Sequence, residues 1–320
     1  MNAMSRIAIE LAAPDIDAHR RSSTGVDFVH TFESGQPGPH VLVNAITHGN
    51  EICGAIVVDR LLRTGVRPTR GTLTLSFANI EAFSRFDPKR PYATRFVDED
   101  FNRVWNTATL DGQRDSVELR RARALRPFVE AADFLLDIHS MLEPSPPVMI
   151  CGPLDKGIRF AFDVAIPRDV VSDEGHANGT RMRDFGGFGD PSSPKNALLV
   201  ECGQHWERSA EVVAWQTTWR FLRHTGVIDG ETATREIALE PPPAQRLVRV
   251  TEAVVARTPE FRFARAFSGM EVVPQQGDVI AYDGGEAIRA PYDNCVLVMP
   301  VPNNVKTGLT AVRLGRIEPR

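Results

Sequence analysis

Short apolar runs alternate with helical stretches along the first two-thirds of the chain. Apolar runs rich in leucine and β-branched residues predict buried strands, at residues 41–46, 72–78, 134–137, 148–151 and 197–200. Apolar residues at helical spacing predict helices at residues 51–62, 116–131 and 210–223. Continuous apolar strands that alternate with helices are typical of an α/β fold with a mostly parallel sheet covered by helices on both faces.

The pattern changes at the three prolines 241–243, which cannot continue a helix. Beyond them, apolar and polar residues alternate with a period of two, and glycine and proline interrupt the runs, which predicts a smaller all-β domain. We therefore expect an α/β domain over residues 1–240 and a C-terminal β domain over residues 245–320.

Composition indicates a globular protein. The 320 residues are 42% hydrophobic and 24% charged, and the formal net charge is -4. No apolar run is long enough to predict a membrane span, and no basic patterning indicates a nucleic-acid partner. Four scattered cysteines without a CxxC pair favour a reduced, cytoplasmic protein.

Polar side chains follow three of the predicted strands. His48 and Glu51 come after the first strand, His139 after residues 134–137, and Glu201 after residues 197–200. In open α/β sheets, ligands bind at the carboxyl ends of the strands. We therefore expect these four side chains to converge.

Two histidines and one carboxylate are the ligand set of hydrolytic zinc sites, which keep a further position open. Asp137, two residues before His139, could orient that imidazole or could instead cap a local turn. Glu201 ends a buried strand and could act as a general base, or it could pair with an arginine.

Four short motifs, taken together, carry a family resemblance. They are HGNE at 48–51, DFNR at 100–103 with Arg95 ahead of it, DIHS at 137–140 and VECG at 200–203. In this order they resemble the succinylglutamate desuccinylase/aspartoacylase family, whose fold is of the zinc carboxypeptidase type. The resemblance covers most of the chain, including a β-rich C-terminal region.

The resemblance implies a role for each matching residue. His48, Glu51 and His139 match the ligands of one zinc ion per chain, and Glu201 matches the general base and acid that acts with metal-activated water. Arg95 matches the arginine that polarises the scissile carbonyl, Asn102 and Arg103 match the pair that binds the α-carboxylate of the substrate, and Tyr292 matches a tyrosine that completes the pocket. The implied function is hydrolysis of the amide bond of a small N-acyl amino acid.

One feature of the family has no clear counterpart. Relatives often carry a further arginine that reads a second carboxylate of the substrate, and neither Arg181 nor Arg183 matches it by spacing. Preference for an acidic amino acid, and whether the chain forms a homo-oligomer, therefore stay open.

Three other interpretations compete with the deacylase. A zinc carboxypeptidase that trims short peptides would use the same motifs, and a non-catalytic protein that binds small molecules could keep the same fold. A metal-free hydrolase using Ser140 and His139 is disfavoured, because adjacent residues on a strand point to opposite faces.

Overall fold

The computed structural model describes residues 7–176, 178–237, 241–302 and 305–319. In these residues the strands are β1 (Val29–Glu33), β2 (His40–Ala45), β3 (Thr72–Phe77), β4 (Phe134–Met141), β5 (Val148–Ile150), β6 (Asp169–Ser172), β7 (Asn196–Gln204), β8 (Arg246–Val255), β9 (Arg262–Phe263), β10 (Glu271–Val273), β11 (Val279–Asp283), β12 (Glu286–Arg289), β13 (Cys295–Val298) and β14 (Thr310–Glu318). The helices are α1 (Ile52–Arg63), α2 (Ile80–Phe83), α3 (Thr107–Asp111), α4 (Val117–Ala131), α5 (Asp155–Val164), α6 (Arg208–Thr225) and α7 (Gly230–Glu236).

The main sheet has the strand order β1-β3-β2-β4-β7-β5-β6-β8-β14-β13-β10. Its central strands β3, β2, β4 and β7 are parallel, whereas β1 and β5 run antiparallel to their neighbours β3 and β7. The predicted α/β class with a mostly parallel, helix-covered sheet is therefore confirmed for this core.

Helices cover the two faces of the sheet because apolar residues alternate along each strand. On β7, Leu198 and Val200 belong to the core formed with α1, α5 and α6. Their neighbour Ala197 packs on the other face with residues of α4. Glu201 lies four residues after Ala197 on β7, and His139 lies four residues after Leu135, the partner of Ala197 on β4. Side chains an even number of residues apart on a strand share a face, so His139 and Glu201 lie on this second face.

Two predicted strands are longer than the sequence pattern indicated. β4 continues to Met141 and β7 continues to Gln204, so His139 and Glu201 lie inside strands rather than after them. Polar residues in an apolar run look like the end of a strand, although here the backbone ladder continues past them. The pattern also missed β1, β6, α5 and α7.

The C-terminal strands extend the main sheet. β8 pairs with β6 in parallel, and β14, β13 and β10 follow in antiparallel order. β9, β11 and β12 form a separate three-stranded antiparallel sheet in the described residues. The sequence predicts a domain boundary at residues 241–245. Strands from before and after this boundary nevertheless pair in one hydrogen-bonded sheet.

A third apolar cluster joins the regions on either side of that boundary. Ile150, Val171 and Leu199 pack there with Val248 and Val298 of the C-terminal strands. Among the described residues, no helix combines the length and the apolar character that crossing a bilayer requires.

We expect a fragment of residues 1–240 to be unstable by itself. Removing the C-terminal strands uncovers side chains such as Val171 and Leu199, at a cost of about 1.5–3 kcal/mol each. Thermal unfolding of the fragment and of the whole chain, with binding of a hydrophobic dye, measures the effect. Cooperative unfolding of the fragment at the temperature of the whole chain would instead establish an independent domain.

Candidate metal centre and active site

A tight loop between β2 and α1 carries His48 and Glu51. It begins at Ile46, a buried β-branched residue with a φ of 53°, which is a strained conformation for such a side chain. A Cβ at Gly49 would clash with the backbone of Ala82 and with the carbonyl oxygen of Thr94. Glycine is therefore required where this loop passes under the segment that leads to Arg95.

Glu51 lies between two buried imidazoles. Its Oε1 lies 2.7 Å from His48 Nδ1, and its Oε2 lies 2.9 Å from His139 Nδ1. The three residues are each at most 3% exposed, and their possible ligand atoms lie within 4.8 Å of one another. The structure therefore brings together the three side chains that the sequence predicts as metal ligands.

The second ring nitrogen of each imidazole, Nε2, contacts a carboxylate. Asp137 Oδ2 lies 2.8 Å from His139 Nε2, and Asp100 Oδ1 lies 3.0 Å from His48 Nε2. Asp137 is itself fixed, because its Oδ1 accepts hydrogen bonds of 2.8 Å from Asn44 and from Thr47. Carboxylates in these positions direct both Nδ1 atoms towards Glu51, as partners of metal-binding histidines do.

The electrostatics of this group favour a cation. Burial by itself raises the pKa of Glu51, but His48 and His139 lower it well below its ordinary range. Burial lowers the pKa of His139, and Asp137 with Glu51 raises it well above its ordinary value. Apart from its 2.9 Å contact with His139 Nδ1, the buried Glu51 Oε2 has no hydrogen-bond partner among the described residues. Two imidazole nitrogens and such an oxygen fit a zinc ion, so these residues could hold a metal.

Glu201 lies beside this group on the neighbouring strand. It faces His139 in the parallel register of β4 and β7. Burial raises the pKa of Glu201 to about 8, although the nearby His139 opposes this shift. Its Oε2 is buried without a hydrogen-bond partner among the described residues. This carboxylate is therefore placed to exchange a proton with a molecule bound in the cavity.

The segment 95–103 forms another wall of the site. Arg95 is 38% exposed, and its Nη2 donates to Asp100 Oδ2 at 3.2 Å. The Asn102 side-chain oxygen accepts a hydrogen bond from the Met182 backbone at 2.9 Å. Arg103 Nη1 donates to its neighbour's carbonyl oxygen at 2.7 Å. Burial lowers the pKa of Arg103 to about 10, which Asp100 opposes and nearby arginines reinforce.

A single cavity of about 800 Å³ joins these elements. Seven of the predicted site residues line it, namely His48, Glu51, Arg95, Asn102, Arg103, His139 and Glu201. Asp137 lies behind His139. The structure does not bring Tyr292 to this cavity, because its hydroxyl lies 2.6 Å from Thr251 Oγ1 and Arg316 stacks on its ring.

The sequence left open whether Arg181 or Arg183 reads a second substrate carboxylate, and these two arginines have different environments. Arg181 lines the cavity, where Asp173 accepts from Nη1 at 3.0 Å and from Nη2 at 2.7 Å, and Asp184 accepts from Nε at 2.6 Å. Arg183 does not line the cavity, and it binds Asp184 and the Ala197 carbonyl oxygen instead.

Sequence reasoning did not single out several residues that shape the site. Asp100, which contacts His48, was part of a motif and could have been recognised as an acid next to the arginines. Arg313 on β14 lines the cavity, and Ser140, considered from the sequence only as a nucleophile, forms a hydrogen bond of 2.8 Å with buried His205. These contacts join distant parts of the chain, so no local pattern indicates them.

Glu118 is the least expected of these residues. It is fully buried in the first turn of α4, and its carboxylate accepts hydrogen bonds from the backbone of residues 97, 98 and 99 at 2.7–3.2 Å. It also accepts one from the Asn79 amide at 3.0 Å. Glu118 therefore fastens the segment that carries Arg95 and Arg103 to the body of the protein.

Comparison with solved structures places this fold among known relatives. A succinylglutamate desuccinylase/aspartoacylase from Rhodobacter sphaeroides matches with a TM-score of 0.67 and 19% identity, over 92% of this chain and 90% of that one. A succinylglutamate desuccinylase from Vibrio cholerae gives a TM-score of 0.65 and 16% identity, over 93% and 89%. The product-bound ectoine utilization protein EutE (DoeB) from Ruegeria pomeroyi gives 0.62 and 15%, over 89% and 87%.

The sequence agrees with the structural comparison. Residues 37–166 match the family model of the succinylglutamate desuccinylase/aspartoacylase catalytic domain, a segment that includes His48, Glu51, Arg95, Arg103 and His139. A search of curated proteins found no match. The chain shares the fold of these structures and has a candidate metal site, and its residues 37–166 are similar to the catalytic domain of the succinylglutamate desuccinylase/aspartoacylase family.

We expect Glu118→Ala to lower the free energy of unfolding by about 2–4 kcal/mol, because it leaves one buried and three partly buried donors without their acceptor. Denaturant unfolding measures the loss, and faster hydrogen exchange at amides 97–99 localises it. Glu81→Ala is the control, since Glu81 forms an exposed pair with Arg85 and should change stability by less than about 0.5 kcal/mol. Equal stability of the two variants would contradict this role.

The buried Asp173–Arg181 pair predicts a dependence on pH. Burial raises the pKa of Asp173, but Arg181 lowers it to about 2, from an ordinary 3.8. A lowered folded-state pKa stabilises the protein above pH 3.8, and this stabilisation is lost as the pH falls towards 2. Asp173→Asn should therefore lower the free energy of unfolding by about 3 kcal/mol at pH 7 and by less near pH 2.

Urea unfolding of both proteins between pH 2 and 7 measures this difference. Asp163→Asn is the control, because Asp163 is 59% exposed and has only a 3.8 Å contact to His224. A difference between wild type and Asp173→Asn that stays constant across this range would disprove the linkage.

Proposed function

We propose that this protein is a zinc-dependent hydrolase that cleaves the amide bond of a small N-acyl amino acid. The observation that carries the proposal is the buried group of His48, Glu51 and His139, which shares one cavity with Glu201 and Arg103. The match of residues 37–166 to the succinylglutamate desuccinylase/aspartoacylase catalytic domain supports the reaction class, and the similar fold of product-bound EutE is consistent with a small substrate.

His48, Glu51 and His139 would hold the zinc ion. When bound, zinc supplies Lewis acidity for the acyl carbonyl and lowers the pKa of water near it. Asp137 and Asp100 keep the two imidazoles in the orientation that leaves each Nδ1 free to act as a ligand.

Glu201 moves the proton in this proposal. Its buried carboxylate has a raised pKa, so it can accept a proton from the attacking water and then return it to the departing amine nitrogen. Amide hydrolysis needs both steps, because the amine is a poor leaving group until it is protonated. One group with a pKa near neutrality serves both.

The arginines bind and polarise the substrate. Arg95 lines the cavity with its Nη1 3.7 Å from Glu51 Oε1 and remains partly exposed, so its guanidinium can donate to the oxygen on which negative charge develops. Arg103 and Asn102 would bind the α-carboxylate, the first through its planar guanidinium and the second through its amide nitrogen. The Asn102 oxygen already accepts from Met182, which directs the amide.

The cellular setting follows from the thiols. All four cysteines are buried and free, as in a reducing compartment, and we place the reaction in the cytoplasm.

A second candidate is a zinc carboxypeptidase that acts on short peptides. The cavity of about 800 Å³ supports this candidate, because it has room for a molecule larger than an acetyl amino acid. A binding protein without catalysis has less support, because the complete set of ligands and the acid/base carboxylate are present in one cavity.

We expect zinc-loaded protein to release amines from N-acetyl and N-succinyl amino acids, and removal of zinc by a chelator to abolish the release. Glu201→Gln should keep one zinc per chain and lose about 10²–10⁴-fold in kcat. Amine release and zinc content are measured on the same samples, with dipeptides included.

The controls separate the alternatives. Re-addition of zinc should restore the chelated wild type but not Glu201→Gln. Turnover of dipeptides alone would support the carboxypeptidase. A fully zinc-loaded protein that hydrolyses neither class would refute both enzymes.

A further inference from the structure

We infer that the amino acid half of the substrate carries one carboxylate and an apolar side chain, which lies on a strip formed by Leu199, Ile150 and Val171. This inference rests on the proposed function, and it names the substrate class of the same site. It answers whether an acidic or a neutral amino acid is bound, which the sequence left open.

The strip is continuous and begins beside the acid/base residue. Leu199 lies two residues before Glu201, so both side chains point to the same face of β7. Ile150 faces Leu199 across β5 and β7, and Val171 faces Ile150 across β5 and β6. All three line the cavity and pack in one apolar cluster. The strip therefore spans three strands, a width of about 10 Å.

The far end of the strip lies at the carboxylate-binding side. Asp173 follows Val171 by two residues and holds Arg181, and the charges of Arg181 and Arg313 also act on Arg103. A substrate whose carboxylate binds Arg103 and whose amide lies at Glu201 thus has its amino acid half between these points. The side chain of that half lies over the strip.

The two arginines at this end, Arg181 and Arg313, both have contacts within the protein. Arg181 is 2% exposed and gives its donors to Asp173 and Asp184. Arg313 has its Nη2 2.6 and 3.0 Å from the two ring nitrogens of His176, and its Nε lies 3.8 Å from Asp173. Because the strip itself is apolar, a second substrate carboxylate lying directly over it would lose its water without a polar partner there, which is costly.

The C-terminal strands cover the strip with more apolar surface. Val298 packs in the same cluster as Leu199 and also lines the cavity, and Met299 packs against that cluster. The cavity volume of about 800 Å³ equals roughly 25 water molecules at ~30 Å³ each. There is therefore room for a large aliphatic or aromatic side chain, and its burial is the available source of affinity.

The first test is the specificity of the zinc-loaded wild type. We would measure kcat/KM for N-acetyl derivatives of alanine, leucine, phenylalanine, asparagine, aspartate and glutamate. Each buried methylene is worth about fourfold, so leucine should exceed alanine by at least about tenfold. Leucine should exceed aspartate, which is similar in size but charged, by at least about 100-fold. A preference for aspartate or glutamate overturns the inference.

A matched pair of variants tests the strip itself. Val171→Thr keeps the shape of the residue but adds a hydroxyl on the cavity face, and should lower the leucine-to-alanine ratio about tenfold. Val170→Thr makes the same change one residue earlier, on the opposite face, where it packs in the helical core. It should leave that ratio unchanged. Equal effects of both variants, or none from Val171→Thr, contradict the assignment.

Binding measurements keep this inference separate from the proposed reaction. Calorimetry with zinc-loaded Glu201→Gln compares N-acetyl-leucine with N-acetyl-aspartate without turnover. Hydrolysis of the acidic substrates alone would leave the deacylase standing and refute the apolar strip. Preferred binding of N-acetyl-leucine by a wild type that hydrolyses nothing would refute the deacylase and support the strip. If neither compound binds, the assignment of the apolar strip is refuted.

Discussion

The contact of one buried carboxylate with two buried imidazoles is the interaction on which the rest of this site depends. Glu51 is 1% exposed and lies within 2.9 Å of both His48 and His139. Charges at this depth are costly unless each is compensated. The two imidazoles stabilise the Glu51 carboxylate, and the neighbouring Asp137 and Asp100 contact the second nitrogen of each ring and fix its orientation. A metal cation would balance the charge of this group, since three carboxylates surround the two imidazoles.

The parallel sheet makes this arrangement possible, because it brings residues far apart in sequence into register. β2 delivers the loop with His48 and Glu51, and the pairing of β4 with β7 sets His139 opposite Glu201. The regular structure of the other wall consists of two short 3₁₀ helices, Pro91–Thr94 and Phe101–Arg103. Glu118 holds it by accepting three backbone hydrogen bonds, so a side chain outside the cavity determines where Arg95 and Arg103 lie.

The C-terminal strands contribute to the site as well as to stability. They continue the sheet beyond β6, cover the apolar cluster around Val171, and bring Arg313 to the cavity. These strands therefore both continue the sheet and line the cavity. The tyrosine expected from this region, Tyr292, packs instead in the apolar cluster around Ile280 and Leu297.

The sequence by itself determined the α/β class, most of the central strands and helices, and the candidate metal-ligand group. Apolar periodicity and strand-end motifs are local signals, and the carboxyl ends of parallel strands must meet at one edge of the sheet. Only the tertiary structure decided the lengths of β4 and β7, the pairing of Arg181 with Asp173, the anchoring role of Glu118 and the absence of Tyr292 from the cavity. Each of these depends on contacts between residues distant in the chain, and side-chain pairing across such distances leaves no periodic trace in the sequence.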